Sequence, residues 1–325
     1  MRSAIHTTFG EPADVLALGD SPVPQPGAGE VRIRTILAPI HNHDLWTIRG
    51  KYGYKPTLPA IGGSEAVGTV DAVGEGVEGI NVGQRVMSAS VHGTWAEYFI
   101  APARMVIPVP DAIADEAAAQ LIAMPLSALM LLEFLQAEPG QWIVQNTANG
   151  AVGKTLAMLA AARGVQVLGL VRRDAGVDEL KALGIGNVLS TEQADWKQRA
   201  HALLGDTLAH AAVDSIGGQA SADLLSLLGE NGTLVSFGSM AGEPMQIPSG
   251  DVIFKQATVK GFWGSKVSQQ MSVENKRRLV GELITRVMSG ELTLPVQAVY
   301  GLADAAEAAK ASLLPGRKGK VLLKP

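Results

Sequence analysis

The run Asn146-Thr147-Ala148-Asn149-Gly150-Ala151-Val152-Gly153-Lys154 is where residue type and spacing point most directly to chemistry. A short apolar segment, Trp142–Gln145, precedes it, and an apolar helical stretch, Lys154–Arg163, follows and stops at Gly164. A second apolar segment, Val165–Val171, comes next and ends on Arg172-Arg173. Strand, small-residue turn, helix and second strand make a βαβ unit. Its first turn brings backbone N–H groups and a helix N-terminus to an anion such as a dinucleotide pyrophosphate. Only Gly150 and Gly153 of the usual three glycines are present, so the order of the elements carries the reading more than the motif does. A nicotinamide cofactor is the expected ligand.

The end of the second strand bears on which cofactor. NAD-binding units place Asp or Glu about 20 residues past the glycines, where it accepts hydrogen bonds from the ribose 2′-OH. Here Arg172 and Arg173 stand there, two guanidinium forks suited to a 2′-phosphate. Asp174 argues the other way, since a carboxylate beside them can take a ribose hydroxyl. The balance favours NADPH over NADH.

The elements that must position this loop follow from composition and pattern. The chain has 325 residues, 47% of them apolar and 18% charged, enough for two globular domains with their own cores. A net charge of −4 and the lack of a basic stripe argue against a nucleic-acid partner. No stretch has the length of a membrane span or of a signal-peptide core, so a soluble, cytoplasmic protein is expected. Cysteine is absent, which excludes disulfides, Cys-ligated zinc, iron–sulfur clusters and a Cys nucleophile.

Up to about Pro110 the chain carries short β-like runs broken by Gly and Pro, among them Val31–Leu37, Ala66–Val73, Arg85–Met87 and Tyr98–Ile100. A long helix is expected over Glu116–Leu135. Strands at Trp142–Gln145, Val167–Val171, Asn187–Ser190, Ala211–Ile216, Thr233–Phe237 and Thr258–Phe262 then alternate with helices such as Lys154–Arg163, Ala194–Leu204 and Ala220–Leu228. That alternation predicts a doubly wound parallel sheet that binds its ligand beyond the carboxyl ends of the strands. Helices at Val273–Met288 and Ala303–Ala311 and a strand at Lys320–Leu323 are expected to return to the β domain, leaving a cleft between two lobes. The expected division is 1–118 with 265–325 for the β-rich domain and 119–264 for the nucleotide-binding domain.

This order resembles the medium-chain dehydrogenase/reductase superfamily, in which a GroES-like β-rich catalytic domain is joined to a doubly wound Rossmann domain. Its zinc-free enoyl-thioester reductases, of the trans-2-enoyl-CoA reductase type, are the nearest resemblance, and the quinone oxidoreductases are more distant. The segments Gly50-Lys51-Tyr52-Gly53 and Leu58–Glu65 look like the catalytic-tyrosine loop of those enzymes. Gln145-Asn146 with Asn149 and Val152-Gly153 match their phosphate loop. Ser215–Gly218, Phe237–Ala241 and Gly261-Phe262-Trp263 match their later signatures in order. The zinc-dependent members carry a Cys near the position of His41 and a His near that of Ser64, and this chain has neither. His41, His43 and Glu65 are the residues left for a metal; they are read instead as loop histidines and a polar glutamate, and no metal is expected.

The resemblance implies roles residue by residue. Asn149, Gly150, Ala151, Val152 and Gly153 would line the pyrophosphate, Arg172 and Arg173 the 2′-phosphate, and Phe237, Gly238, Ser239 and Met240 the nicotinamide. Phe262, Trp263, Gly264 and Ser265 would face the cleft, and Lys320 would reach a cofactor phosphate. Tyr52 would donate a proton, with Tyr54 nearby as a substitute. Hydride added to a C=C bond conjugated to a carbonyl leaves an enolate, which needs a donor at its oxygen and a proton at its α-carbon; a phenol of pKa about 10 is protonated at neutral pH and can serve. One segment departs from the resemblance. Ala118–Pro125 lacks the asparagine that helps hold the cofactor in those enzymes. The expected activity is NADPH-dependent reduction of such an alkene, an enoyl thioester foremost. Reduction of a quinone or an enal, and cofactor binding without turnover, stand as alternatives. The expected partners are the small-molecule or acyl-thioester substrate and a second copy of the chain, paired through Thr258–Phe262 as in relatives.

Overall fold

Residues of Glu30–Pro39 alternate between inside and outside, with Val31, Ile33, Thr35 and Leu37 turned inward. That period of two makes the segment the central strand of a sheet with one solvated face. In the computed structural model, which describes residues 1–325, it pairs with Glu65–Val73, Tyr98–Pro102 and Lys320–Lys324, all antiparallel. Arg85–Ala89 and Val106–Pro108 extend this seven-stranded sheet on one side, and Val296–Gly301 closes the other. A smaller sheet joins Ala17–Asp20, Arg2–His6 and Ala60–Ile61. The core of this region centres on Ile33, Val70, Trp95 and Leu323.

The chain divides into two compact units, Met1–Ala123 with Leu294–Pro325, and Met124–Thr293. The C-terminal strand therefore does return to the β-rich unit. The helices Gly264–Gln270 and Val273–Met288 belong to the second unit, whereas the sequence had assigned residues 265–293 to the first.

The second unit is built on a six-stranded sheet, parallel throughout. Its spatial order is Val188–Ser190, Gln166–Val171, Trp142–Gln145, Ala209–Asp214, Leu228–Ser236, Thr258–Gly261. In chain order that is 3-2-1-4-5-6, the doubly wound arrangement of dinucleotide-binding domains, and its strand order reverses between Trp142–Gln145 and Ala209–Asp214. The inner strands Trp142–Gln145 and Gln166–Val171 are largely apolar and buried, as expected of parallel strands covered on both faces.

Three helical expectations need correction. The helix after the phosphate loop begins at Ala151 and not at Lys154, because Gly150 takes the extended N-cap conformation and the small residues form the first turn. The single helix expected over Glu116–Leu135 is broken into Asp115–Ala118 and Ala123–Leu135. At the break the N–H groups of Ile122 and Ala123 turn to the Glu65 carboxylate. The helix expected to run to Leu228 ends at Ser226, and Leu228 opens the next strand. Helices Asn42–Ile48, Asp174–Lys181 and Ser249–Lys255 were not anticipated. No helix is long and apolar enough to cross a membrane.

Candidate active site

In the second unit the site is a set of loops at the carboxyl ends of the parallel strands, pinned by one buried carboxylate. Asp214 ends its strand fully buried. Its Oδ1 accepts from Asn146 Nδ2 at 2.7 Å and from the N–H groups of Ile216 and Gly217 at 2.8 and 3.1 Å. Its Oδ2 accepts from the Ser221 hydroxyl at 2.5 Å. Asn146 closes the ring, its Oδ1 taking the Ser215 N–H at 2.7 Å. The Asp214 backbone carbonyl also accepts from Phe237 and Gly238 N–H. Three loops, those beginning at Asn146, Ser215 and Phe237, are thus fixed to one residue.

The phosphate loop follows from these anchors. Thr147 takes a left-handed conformation (φ 51°). Gln145 Nε2 donates to the Gly153 carbonyl at 2.8 Å. A Cβ at Gly153 would lie 2.8 Å from the carbonyl oxygens of both Thr147 and Ala148, so only glycine lets the helix approach its own turn this closely. Ala151, Val152 and Gly153 are the first three residues of the helix, and their N–H groups have no acceptor within it. Asn149 and Gly150 sit at the outer rim, half-buried and exposed. This is a backbone cradle for an anion.

Arg172 and Arg173 follow the adjacent strand, both exposed and neither paired with any carboxylate. Asp174, the one residue that argued for a ribose hydroxyl, is bound by Gln193 Nε2 at 2.5 Å. Gly238 packs tightly against the Ser215 backbone, while Ser239 and Met240 lie exposed beyond it. Phe262 is buried with its ring edge-on to Phe134 at 5.2 Å and tilted against Phe237 at 5.8 Å, so it packs the loop ends together. Trp263 beside it is 65% exposed.

In the first unit a second cluster gathers on the helix Asn42–Ile48. His41 caps it and is fully buried, with Nε2 2.7 Å from Glu65 Oε2. Glu65 Oε1 accepts from Ile122 and Ala123 N–H at 2.7 and 2.8 Å. Asp44 Oδ2 takes the His41 N–H at 2.9 Å, and Asp44 Oδ1 accepts from Ser64 Oγ at 2.6 Å. His43 Nε2 is 2.7 Å from the same Ser64 Oγ. These histidines are therefore not loop residues, and Glu65 is not merely polar: side chains the sequence had set aside form the best-connected buried cluster of the unit. Gly62 and Gly63 permit it, because a Cβ at either would overlap the Trp95 ring.

Burial drives the electrostatics here. It pushes the Glu65 carboxyl up to about 7, against the pull of the two backbone N–H groups and Lys320. It also pushes His41 well below its ordinary value, with Lys320 adding to the effect. The pair thus holds one proton between neutral partners. Lys320 is brought to this cluster because the Ile40 N–H bonds the Val321 carbonyl. Burial and Arg317 lower its pKa to about 8. No group of three His, Asp or Glu side chains is arranged to hold a metal ion.

The two tyrosines differ. Tyr54 stacks on His92 at 4.0 Å and 14°. Tyr52 is 39% exposed, its hydroxyl makes no hydrogen bond, and its ring lies 5.8 Å from that of His43.

A 3-2-1-4-5-6 parallel sheet with a glycine-tight phosphate turn, joined to an antiparallel β-rich unit, defines a two-domain nicotinamide-type oxidoreductase fold. Residues 27–111 match the family described as "Alcohol dehydrogenase GroES-like domain", and residues 151–279 match "Zinc-binding dehydrogenase". The chain belongs to the medium-chain dehydrogenase/reductase superfamily, in the branch of the enoyl reductases and quinone oxidoreductases. It is 32% identical to the human mitochondrial enoyl-[acyl-carrier-protein] reductase over 99% of this chain and 88% of that protein. Among solved structures, a mycobacterial quinone oxidoreductase is 30% identical with a TM-score of 0.89, each chain covered fully. The Escherichia coli quinone oxidoreductase, solved with NADPH, is 26% identical with a TM-score of 0.88, again over both full chains.

Proposed function

We propose that this oxidoreductase uses NADPH to reduce a C=C bond conjugated to a carbonyl, with an enoyl thioester as the substrate class. One observation carries the reading: Tyr52 holds an unpartnered phenol on an exposed loop, and an enolate needs a proton donor. The similarity to enoyl-[acyl-carrier-protein] reductases supports the substrate class. Unpaired Arg172 and Arg173 support the 2′-phosphate of NADPH, and the N–H groups of Ala151, Val152 and Gly153 support its pyrophosphate. Asn149 and Gly150 would edge that pyrophosphate, Gly238, Ser239 and Met240 the nicotinamide, and Lys320 a phosphate. In this reading Phe237, Phe262 and Trp263 shape the wall beside the ring. When bound, NADPH supplies hydride to the β-carbon. Tyr52 then gives its proton to the α-carbon of the resulting enolate.

A second reading, a quinone as acceptor, is favoured by the fold similarity to quinone oxidoreductases. Oxidation of NADPH with a short trans-2-enoyl-CoA and, in parallel, with a 1,4-quinone separates the two. Turnover of the thioester that is lost in Tyr52→Phe is the expected result. Turnover of the quinone alone, surviving that substitution, would move the protein to the second reading.

We also infer a homodimer. The strand Thr258–Gly261 pairs on one side only and is exposed along its length, beside exposed Ile253, Phe254 and Trp263. Sedimentation at the monomer mass would overturn this.

A further inference from the structure

Ser64 lies between two partners, and its single proton decides how they are arranged. Asp44 Oδ1 is 2.6 Å from Ser64 Oγ, and an ionised carboxylate only accepts. Ser64 therefore donates to Asp44 and accepts from His43 Nε2–H at 2.7 Å. This fixes the neutral tautomer of His43, with Nε2 protonated and Nδ1 bare. The ring is also held on its faces, stacked on His41 at 5.0 Å and 15° and set against Tyr52 at 5.8 Å and 30°. His92, the stacking partner of Tyr54, has no such tie to a carboxylate.

We propose that His43, oriented through Ser64 by Asp44, is the positioning residue that holds Tyr52 and restores the proton it gives up. The proposal rests on the reading of Tyr52 as proton donor. Once Tyr52 has protonated the substrate carbon it is a phenolate. A protonated His43 beside it carries a proton on Nδ1; that N–H bond breaks as the tyrosine O–H bond forms, directly or through one water. What remains is neutral His43 with Nε2–H, the form Ser64 and Asp44 already hold. With its side chain 25% exposed, His43 regains a proton from solvent. Histidine is the side chain suited to this, since it exchanges a proton near neutral pH. Within this unit the ionisable groups facing it are Asp44, His41, Tyr52 and Glu65, with Lys320 beyond Asp44 and Glu65. Asp44, with Oδ1 3.5 Å from His43 Nε2, is the nearest opposite charge.

The test is steady-state reduction of a four-carbon trans-2-enoyl-CoA by NADPH from pH 5.5 to 9, for the wild type, Tyr52→Phe, His43→Gln and Ser64→Ala. We expect His43→Gln to lower kcat about tenfold or more, at the low end of what proton transfer contributes, with KM within about twofold. We also expect an alkaline fall in the wild-type kcat and its loss in His43→Gln. Ser64→Ala keeps the imidazole and removes both its acceptor and the hydroxyl that donates to Asp44, so it should lower kcat and shift that alkaline limb. It also decides the matter if His43→Gln does not fold. An unchanged kcat and pH profile in these variants, with Tyr52→Phe inactive, overturns the role of His43 and leaves Tyr52 as donor. Full activity in Tyr52→Phe, or no thioester turnover by the wild type, overturns the underlying reading instead.

Discussion

Asn146 Nδ2 donates to Asp214 Oδ1 at 2.7 Å across the two strands between which the parallel sheet reverses its order. Both side chains are buried, and between them they satisfy the backbone N–H groups of Ser215, Ile216 and Gly217. Asparagine at 214 keeps an oxygen for those donors and an amide for Ser221, so Asp214→Asn should cost only about 1–2 kcal/mol, the loss of charge assistance. Asp214→Ala strands the donors in a dry site and should cost more than about 3 kcal/mol. Denaturant unfolding of the two variants, with NADPH titration by fluorescence, checks both the order and the size.

Arg172 and Arg173 should set cofactor choice without affecting stability, since neither has a partner to lose. Arg172→Ala and Arg173→Ala should each weaken NADPH binding about tenfold, a charged hydrogen bond being worth about 1.5–3 kcal/mol. NADH binding should stay within about twofold. Calorimetric titration with both nucleotides would show it, and equal losses for the two would contradict it.

Gly153 and Gly150 make a paired test of the cradle. A methyl at 153 meets two carbonyl oxygens at 2.8 Å, whereas one at 150 meets the Thr147 oxygen at 3.1 Å in an ordinary extended conformation. Gly153→Ala should destabilise by about 1–3 kcal/mol and weaken NADPH binding, while Gly150→Ala should do less of both. Melting temperatures and NADPH Kd values of the two variants rank them.

The His41–Glu65 pair makes a prediction about acid. Glu65, raised from 4.5 to about 7, contributes stability that is full below pH 4.5 and lost as pH rises through 7. His41, held well below 6.5, contributes stability present above 6.5 and lost as pH falls. Below pH 6.5 folding therefore takes up a proton at Glu65 and releases one at His41, and the two slopes oppose each other. Glu65→Gln removes one side of that balance. The variant should lose about 1.4 kcal/mol per pH unit below 6.5 relative to the wild type, read from urea unfolding at pH 5.0, 6.0 and 7.0. A parallel pH dependence in the two proteins would refute it.

The doubly wound sheet was legible because its buried strands, such as Gln166–Val171 after its first residue, are apolar runs separated by helical patterns. The phosphate turn was legible from Gly150 and Gly153, although the helix start was misplaced by three residues, since Ala151 and Val152 look equally at home in a loop. Asp214 was missed. Its signal was a lone carboxylate closing the apolar run Ala211–Val213, a position where a charge needs a reason. Glu65 gave a similar hint, heading an apolar strand after Gly62-Gly63-Ser64, but its partners at Ile122 and Ala123 lie 57 and 58 residues away. The helix Asn42–Ile48 was hidden because a histidine caps it in place of the customary Ser, Thr, Asp or Asn.

The Asn146–Asp214 tie leaves Arg172 and Arg173, the residues proposed to select the nucleotide, outside the framework it builds. Arg172 and Arg173 stand on the neighbouring strand, exposed and bonded to none of the pinned loops. Under the proposed function, gripping a dinucleotide and choosing between dinucleotides are thus separable traits in this chain. A change of coenzyme, by selection or by design, can be confined to two surface positions, while the inherited scaffold of buried amide and carboxylate stays as it is.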